Sequence, residues 1–345
     1  MLFYTVLFSL LIISSGIVTY EKDIRLANLF KVITFLLLFL PAAFRYNVGA
    51  DYQNYVNIFY DISAGGRRSI EPGYWFLNYI VSKYGGGPQL VLAISAFVTL
   101  FYYFYGVGKD RWLIYTVVFF IVCWPWYCST VRQMISCSFA FYAWRKYNAE
   151  KKFVAFVFIG LACLFHYSSL IYPFIFFLCN RLRIPRLALV IMFILCVVLC
   201  LKGMLGNRIL NLLTNTVYGN RYNASIWLEQ PEITGSGLGR ILRFSVYLLI
   251  LYFVPIDTLE NRSILMLFFI YAIMDVLSSE IIIINRIGRG INFSILLAIY
   301  QIIKTRQFWR PIVTVCLWAM LVVLLYANLS NGFAYCVPYR SILSH

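Results

Sequence analysis

Apolar residues run along this chain in blocks of about 15–20, separated by short polar segments. A helix needs about 20 residues to cross roughly 30 Å of hydrocarbon. A membrane barrel would instead give weaker alternating segments of about ten residues. Backbone groups in lipid must be satisfied within the segment, so the blocks predict helices. About twelve spans result. Four lie at about 2–20, 26–44, 89–105 and 112–127; a fifth opens at Arg132 and ends at the run RKYNAEKK. A sixth covers about 153–165 and a seventh follows to 178. The rest lie at about 187–201, 241–254, 263–277, 291–303 and 311–327.

Two long polar stretches break the rhythm, at about 45–87 and 202–240. In the first, YQNYVNIFYDI and EPGYWFLNYIVSKY repeat apolar residues every three or four positions, which predicts interfacial helices. Gly65-Gly66 and the segment 85–88 separate them from their neighbours. Glu71-Pro72 predicts a helix start, because proline suits a first turn and an acid there complements the dipole. The second stretch carries Arg208, Arg221, Trp227, Glu229 and Glu232 and ends in GSGLG.

Of 345 residues, 62% are hydrophobic and 12% charged, against roughly half and a quarter in soluble domains. The fold class is therefore an all-α polytopic membrane protein, taken as one integral membrane domain over 1–345. The net charge of +16 does not imply nucleic acid, because the lysines and arginines sit in short loops such as EKDIR, GKDR, RKYNAEKK, NRLRIPR and KTRQFWR. By the positive-inside rule these loops are cytoplasmic, and the two long stretches and both termini lie outside. The N-terminus starts apolar at Leu2 with no basic n-region, which predicts a retained first span. Nine cysteines are scattered and there are only two histidines, so no zinc spacing arises; the cysteines are expected to be small buried apolar groups. No P-loop or dinucleotide glycine pattern is present, so a soluble nucleotide donor is not supported; no acidic metal-binding motif stands out, so a metal-independent reaction and no cofactor are expected.

On this topology Arg45, Asp51, Glu71, Arg132, His166, Asp275, Glu280, Arg286 and Arg289 all fall near the outer face. Charges beside spans are costly and point to function, although arginines at helix ends also snorkel and acids near them also pair. Guanidinium binds phosphate in a planar, bidentate way and stays charged. Arg45, Arg132, Arg286 and Arg289 are therefore candidates to clamp a pyrophosphate. His166 is either a general base or a structural histidine bonding the turn between spans. Asp51 and Glu71 either accept a proton from a sugar hydroxyl or pair with Arg45, Arg67 or Arg68. Asp275 has an ion pair with a neighbouring helix as its plain alternative. Ser129 or Thr130 is a cap candidate for the span opened by Arg132. Tyr52, Tyr55, Tyr74, Trp75, Trp124, Trp126 and Trp227 serve either as an interfacial belt or as stacking faces for sugars.

The run FRYNVGADYQNYVNIF…EPGYWFLNYIV resembles the opening motif of EpsG-type membrane proteins, which are related to Wzy-like O-antigen and capsule polymerases. VRQMIS, FHYSSL and the tail VPYRSIL match in the same order, and Gln133 enters as a substrate-binding candidate beside Arg132. The resemblance implies a fold similar to GT-C glycosyltransferases in the bacterial inner membrane, with the site facing the periplasm. It implies transfer of a glycan from undecaprenyl pyrophosphate to another lipid-linked repeat unit. It also suggests a chain-length regulator and a flippase as partner proteins. A flippase for the same glycan, or a membrane acyltransferase, is the competing function.

Overall fold

The computed structural model describes residues 1–66, 70–202, 237–278, 282–305, 307–332 and 334–344. Arg67, Arg68, Glu280, Trp227 and nearly all of the stretch 202–240 lie outside the described residues. The rest is helical; the only extended pairing among the described residues is an isolated antiparallel bridge between Arg45 and Ser341. The chain divides into two compact units, Met1–Pro173 with Leu325–His345, and Phe174–Leu324.

The first unit holds α1 (Leu2–Tyr20), α2 (Ile24–Ala43), α3 (Tyr52–Ser63), α4 (Pro72–Lys83), α5 (Pro88–Phe104), α6 (Lys109–Val118), α7 (Trp124–Ser129), α8 (Val131–Asn148) and α9 (Lys152–Phe165). The two expected interfacial helices are α3 and α4, and α4 begins at Pro72 with Glu71 in the cap position. A π turn, Phe119–Cys123, joins α6 to α7. Pro125 explains it: proline has no N–H for the carbonyl four residues back and its ring crowds that carbonyl. The ladder widens instead, with the Trp124 N–H bonding Phe119 five residues back.

Among the described residues, four helical stretches can cross a membrane by length and composition: Leu2–Tyr20, Ile24–Ala43, Lys109–Ser129 and Arg310–Ser330. The apolar helices Pro88–Phe104, Lys152–Phe165, Arg186–Leu201 and Ser294–Lys304 are shorter. The spans at Leu2–Tyr20, Ile24–Ala43 and Arg310–Ser330 are at most one-third buried, whereas Lys109–Ser129 is 83% buried and runs through the interior of its unit. Exposed apolar faces such as Val32, Val6 and Val315 suit lipid. α8 is long but polar, with Gln133, Ser136 and Ser138 buried against protein.

The first unit has two chemically distinct ends. At one, Lys109 donates to the Glu21 carbonyl (2.7 Å) and Arg145 donates to the carbonyls of Tyr105 (2.6 Å) and Gly106 (2.8 Å). Both cations satisfy carbonyls left open at helix C-termini. This is the end with the basic loops. At the other end, the last carbonyls of α2 are taken by side chains. Tyr339 donates to Pro41 (3.1 Å), Arg45 to Ala42, and Gln89 to Ala43.

Residues 334–344 also bind this second end. The N–H groups of Gly49, Tyr46 and Ile342 reach the carbonyls of Tyr335 (3.0 Å), Arg340 (2.9 Å) and Phe44 (2.9 Å). The Ser129 hydroxyl donates to Ala334 (3.0 Å) and accepts from the Ala50 N–H (3.2 Å). Gly49 makes this closeness possible. Its φ is +97°, and a Cβ would lie 2.3 Å from the Cys128 carbonyl oxygen. Gly49→Ala is expected to cost roughly 1–3 kcal/mol. Thermal denaturation in detergent checks this; an unchanged midpoint would contradict it.

The second unit holds the rest of α10 (Tyr172–Arg181), α11 (Arg186–Leu201), α12 (Gly237–Phe253), α13 (Leu259–Leu277), α14 (Ile282–Gly288), α15 (Ser294–Lys304) and most of α16 (Arg310–Ser330). Arg186 reaches the Tyr252 (2.6 Å) and Val254 carbonyls at the C-terminal end of α12, the same device as Arg145. Thr258 caps α13 by accepting from the Asn261 N–H (3.1 Å).

Candidate functional site

The site sits where α4, α8, α9 and α3 meet, at the end of the first unit opposite its basic loops. Glu71 precedes α4 in an extended conformation and is 8% exposed. Its Oε2 takes a charge-assisted hydrogen bond from Arg132 Nη1 on the first turn of α8. Its Oε1 lies 3.7 Å from His166 Nδ1, longer than a hydrogen bond but near enough to stabilise an imidazolium. One buried carboxylate therefore joins a fixed cation to a titratable ring.

The backbone places each of these groups. His166 follows α9 at φ −158°, ψ 116°, and this extended residue ends the helix before a short 3-10 turn, Tyr167–Ile171. Ser136 on α8 donates to the Ala162 carbonyl (2.9 Å) and shares a hydrogen bond with Ser169, which fixes the turn carrying His166 against α8. Gly73 sets the approach of α4, because a Cβ there would lie 2.8 Å from the Leu164 carbonyl oxygen. Gly73→Ala must push the start of α4 from the end of α9 and so separate Glu71 from His166. Misplacement of about 1 Å can cost roughly 10²-fold in rate. Activity per inserted protein is the readout; full activity would contradict the placement.

Arg132 is held from beneath as well. Its guanidinium stands 5.9 Å from the centre of the Tyr74 ring, and its charge acts on the neighbouring Tyr55 phenol. Tyr55 and Tyr74 meet edge to face at 5.6 Å and 66°. Burial pushes the Tyr55 phenol up to about 12, with Arg132 pulling the other way. Tyr55 is therefore a neutral hydrogen-bonding group at physiological pH, not a base. Thr130 occupies the cap position of α8, yet its hydroxyl turns back to the Trp126 carbonyl (3.1 Å) and Ser129 serves the C-terminal tail. The cap expected from either residue is not made.

Arg45 is 1% exposed, deeper than a snorkelling residue would be. Nη1 bonds Ala42, while Nε and Nη2 meet no partner among the described residues. Arg45 also lines a narrow crevice with Ser95, Thr99, Tyr127 and Val131, too tight to admit a water molecule. Val131 precedes Arg132, so the two arginines flank the N-terminus of α8. Asp51 is half-buried at the start of α3, one turn before Tyr55, and Gln133 is buried on α8.

The aromatic set is arranged differently from a row of open stacking faces. Tyr52, Tyr55, Tyr74 and Trp124 are buried, and Trp75 stacks on Tyr79 at 5.1 Å and 8°. The protein itself occupies these ring faces.

Arg286 and Arg289 belong to the second unit and are half-buried. In that unit Asp275 pairs with Arg243 (3.4 Å) and accepts from the Tyr247 hydroxyl (3.0 Å), which also touches the Tyr271 hydroxyl (3.3 Å). Arg243 and Tyr247 did not stand out in the sequence. A charge just inside a span, one helical turn from Tyr247 on the same face, was the available signal. Gly73 was equally visible in EPGYW, but only its contact with Leu164 gives it meaning.

The sequence model of the EpsG family matches residues 28–341, which takes in all of these side chains. No curated protein matches the chain, and no solved structure does.

Proposed function

The chain belongs to the EpsG family, and on that premise we propose that it is a membrane glycosyltransferase. It polymerises oligosaccharide repeat units carried on undecaprenyl pyrophosphate into O-antigen or a related surface polysaccharide. The observation that carries the reading is the buried Glu71–Arg132–His166 cluster at the end of the first unit away from its basic loops. On the positive-inside rule that end faces outward, in the inner membrane of a bacterium. About twelve spans and a GT-C-like arrangement go with this reading.

The reaction needs a base for the acceptor hydroxyl and a group that stabilises the departing pyrophosphate. His166 takes the first role. A small closure of the 3.7 Å gap lets Nδ1–H donate to Glu71, and Nε2 is then the nitrogen that accepts the proton. The acceptor oxygen then bonds to the anomeric carbon as the bond from that carbon to the phosphate oxygen breaks. The proton ends on His166, and the electron pair leaves with the pyrophosphate. Glu71 stabilises the imidazolium and holds Arg132, as a buried orienting acid does in other acid–base sites.

Arg132 stabilises the leaving group, and Arg45 adds two uncommitted nitrogens on the other side of α8. Asp51, Tyr55 and Gln133 line the acceptor side, and Asp51 is the alternative base. Within the second unit, Arg286 and Arg289 are its candidates to bind phosphate. The test is the size distribution of the cell-surface glycan with and without this chain. Long polymer is expected only with it. An unchanged distribution would reject the reading.

A further inference from the structure

Cys128 closes α7, and Cys336 lies 208 positions later in the C-terminal tail. They are 1% and 0% exposed. Both are free thiols, and the Ser129 hydroxyl beside Cys128 holds the Ala334 carbonyl, two residues before Cys336, which makes the two thiols neighbours. Cys336 Sγ also stands 4.0 Å from the Pro125 carbonyl, and the Cys336 carbonyl accepts from the Tyr4 hydroxyl (2.7 Å). Tyr339 stacks on Phe3 at 3.9 Å and 4°. The tail is therefore seated with its cysteine against α7 while Ser341 bridges to Arg45.

We propose that Cys128 and Cys336 are a disulfide site, whose bond pins the C-terminal tail over Arg45. The proposal rests on the outward orientation given above, since only that compartment is oxidising. The oxidant is a protein disulfide of that compartment. A thiolate of one cysteine attacks it, and the other cysteine then attacks the mixed disulfide. One sulfur–sulfur bond forms between Cys128 and Cys336, and the oxidant leaves as its dithiol, carrying the two electrons and two protons. Burial of both sulfurs afterwards shields the bond from reducing thiols.

This goes further than the sequence expectation that the cysteines are simply small apolar fillers. Cys123 and Cys137 fit that description, since both are buried within helices, whereas Cys336 lies in an irregular tail.

The test is peptide mass spectrometry of the full chain, alkylated in intact membranes and digested without reduction. A cross-linked pair containing residues 128 and 336, lost on reduction and absent from Cys336→Ser, is expected. Both cysteines fully alkylated would overturn the proposal. Treating a second sample with diamide then shows which premise failed. If the pair links only with diamide, the pairing is right and the outward orientation is wrong. If it fails even then, the pairing is wrong. The glycan size distribution of Cys336→Ser is a separate readout, so loss of the disulfide proposal leaves the polymerase reading standing.

Discussion

Arg132→Ala is expected to stop chain growth, leaving glycans of one repeat unit. Removing a preorganised donor from a developing negative charge typically costs roughly 10²–10³-fold. Here Arg132 is also the fixed partner of Glu71, which is 8% exposed. Breaking a buried pair by deleting one member costs about 3–5 kcal/mol, because the other charge is left uncompensated. The alanine variant therefore needs a companion. Arg132→Lys keeps the charge beside Glu71 but cannot hold Glu71 and a phosphate in one planar fork. It should insert at normal levels and still yield mostly single repeats. Long polymer from both variants would remove Arg132 from the reaction.

His166→Ala is the second large effect, an expected loss of roughly 10²–10⁴-fold in polymer formation with little loss of folded protein. The contrast comes from how His166 serves the fold. Its backbone N–H bonds the Ala162 carbonyl (2.9 Å), and its carbonyl accepts from the Ser169 N–H (3.1 Å). Both bonds survive removal of the imidazole. Glu71 keeps Arg132 as its counter-charge, so nothing buried is orphaned. His166→Gln can hydrogen-bond but cannot take a proton at neutral pH. If the glutamine variant makes normal polymer, His166 is a structural residue of the turn and the base lies elsewhere, with Asp51 next to be tested.

Much of the fold was legible because apolar runs of this length have few alternatives. Leu2–Tyr20 matches the expected block residue for residue, and Pro72 starts α4 as Glu71-Pro72 implied. The interior route of Lys109–Ser129 was not legible. Its hydropathy resembles that of a lipid-facing span, and only the packing around it shows that it is 83% buried. The π turn at Phe119–Cys123 could be anticipated only as some adjustment before Pro125.

The candidate residues were legible by type, but their partners were not. Glu71 was as free to pair with Arg45 or Arg67 as with Arg132, which lies 61 positions away. Sequence distance carries no information about which cation closes on a buried acid. The aromatics show the opposite failure. Tyr55 and Tyr74 suit sugar stacking by composition, yet their burial turns them into a support for Arg132. The difference lies in which ring faces are covered by other helices, and period alone does not give that.

The central claim is that this chain joins lipid-linked repeat units through the cluster at Glu71. The most direct measurement uses the purified chain, reconstituted in lipid with undecaprenyl-pyrophosphate-linked repeat units and no other protein. The expected result is a ladder of lipid-linked polymer with the wild-type chain, and single units with Arg132→Lys and His166→Gln. Movement of the lipid-linked unit across the bilayer with no ladder would contradict the claim and mark the chain as a flippase.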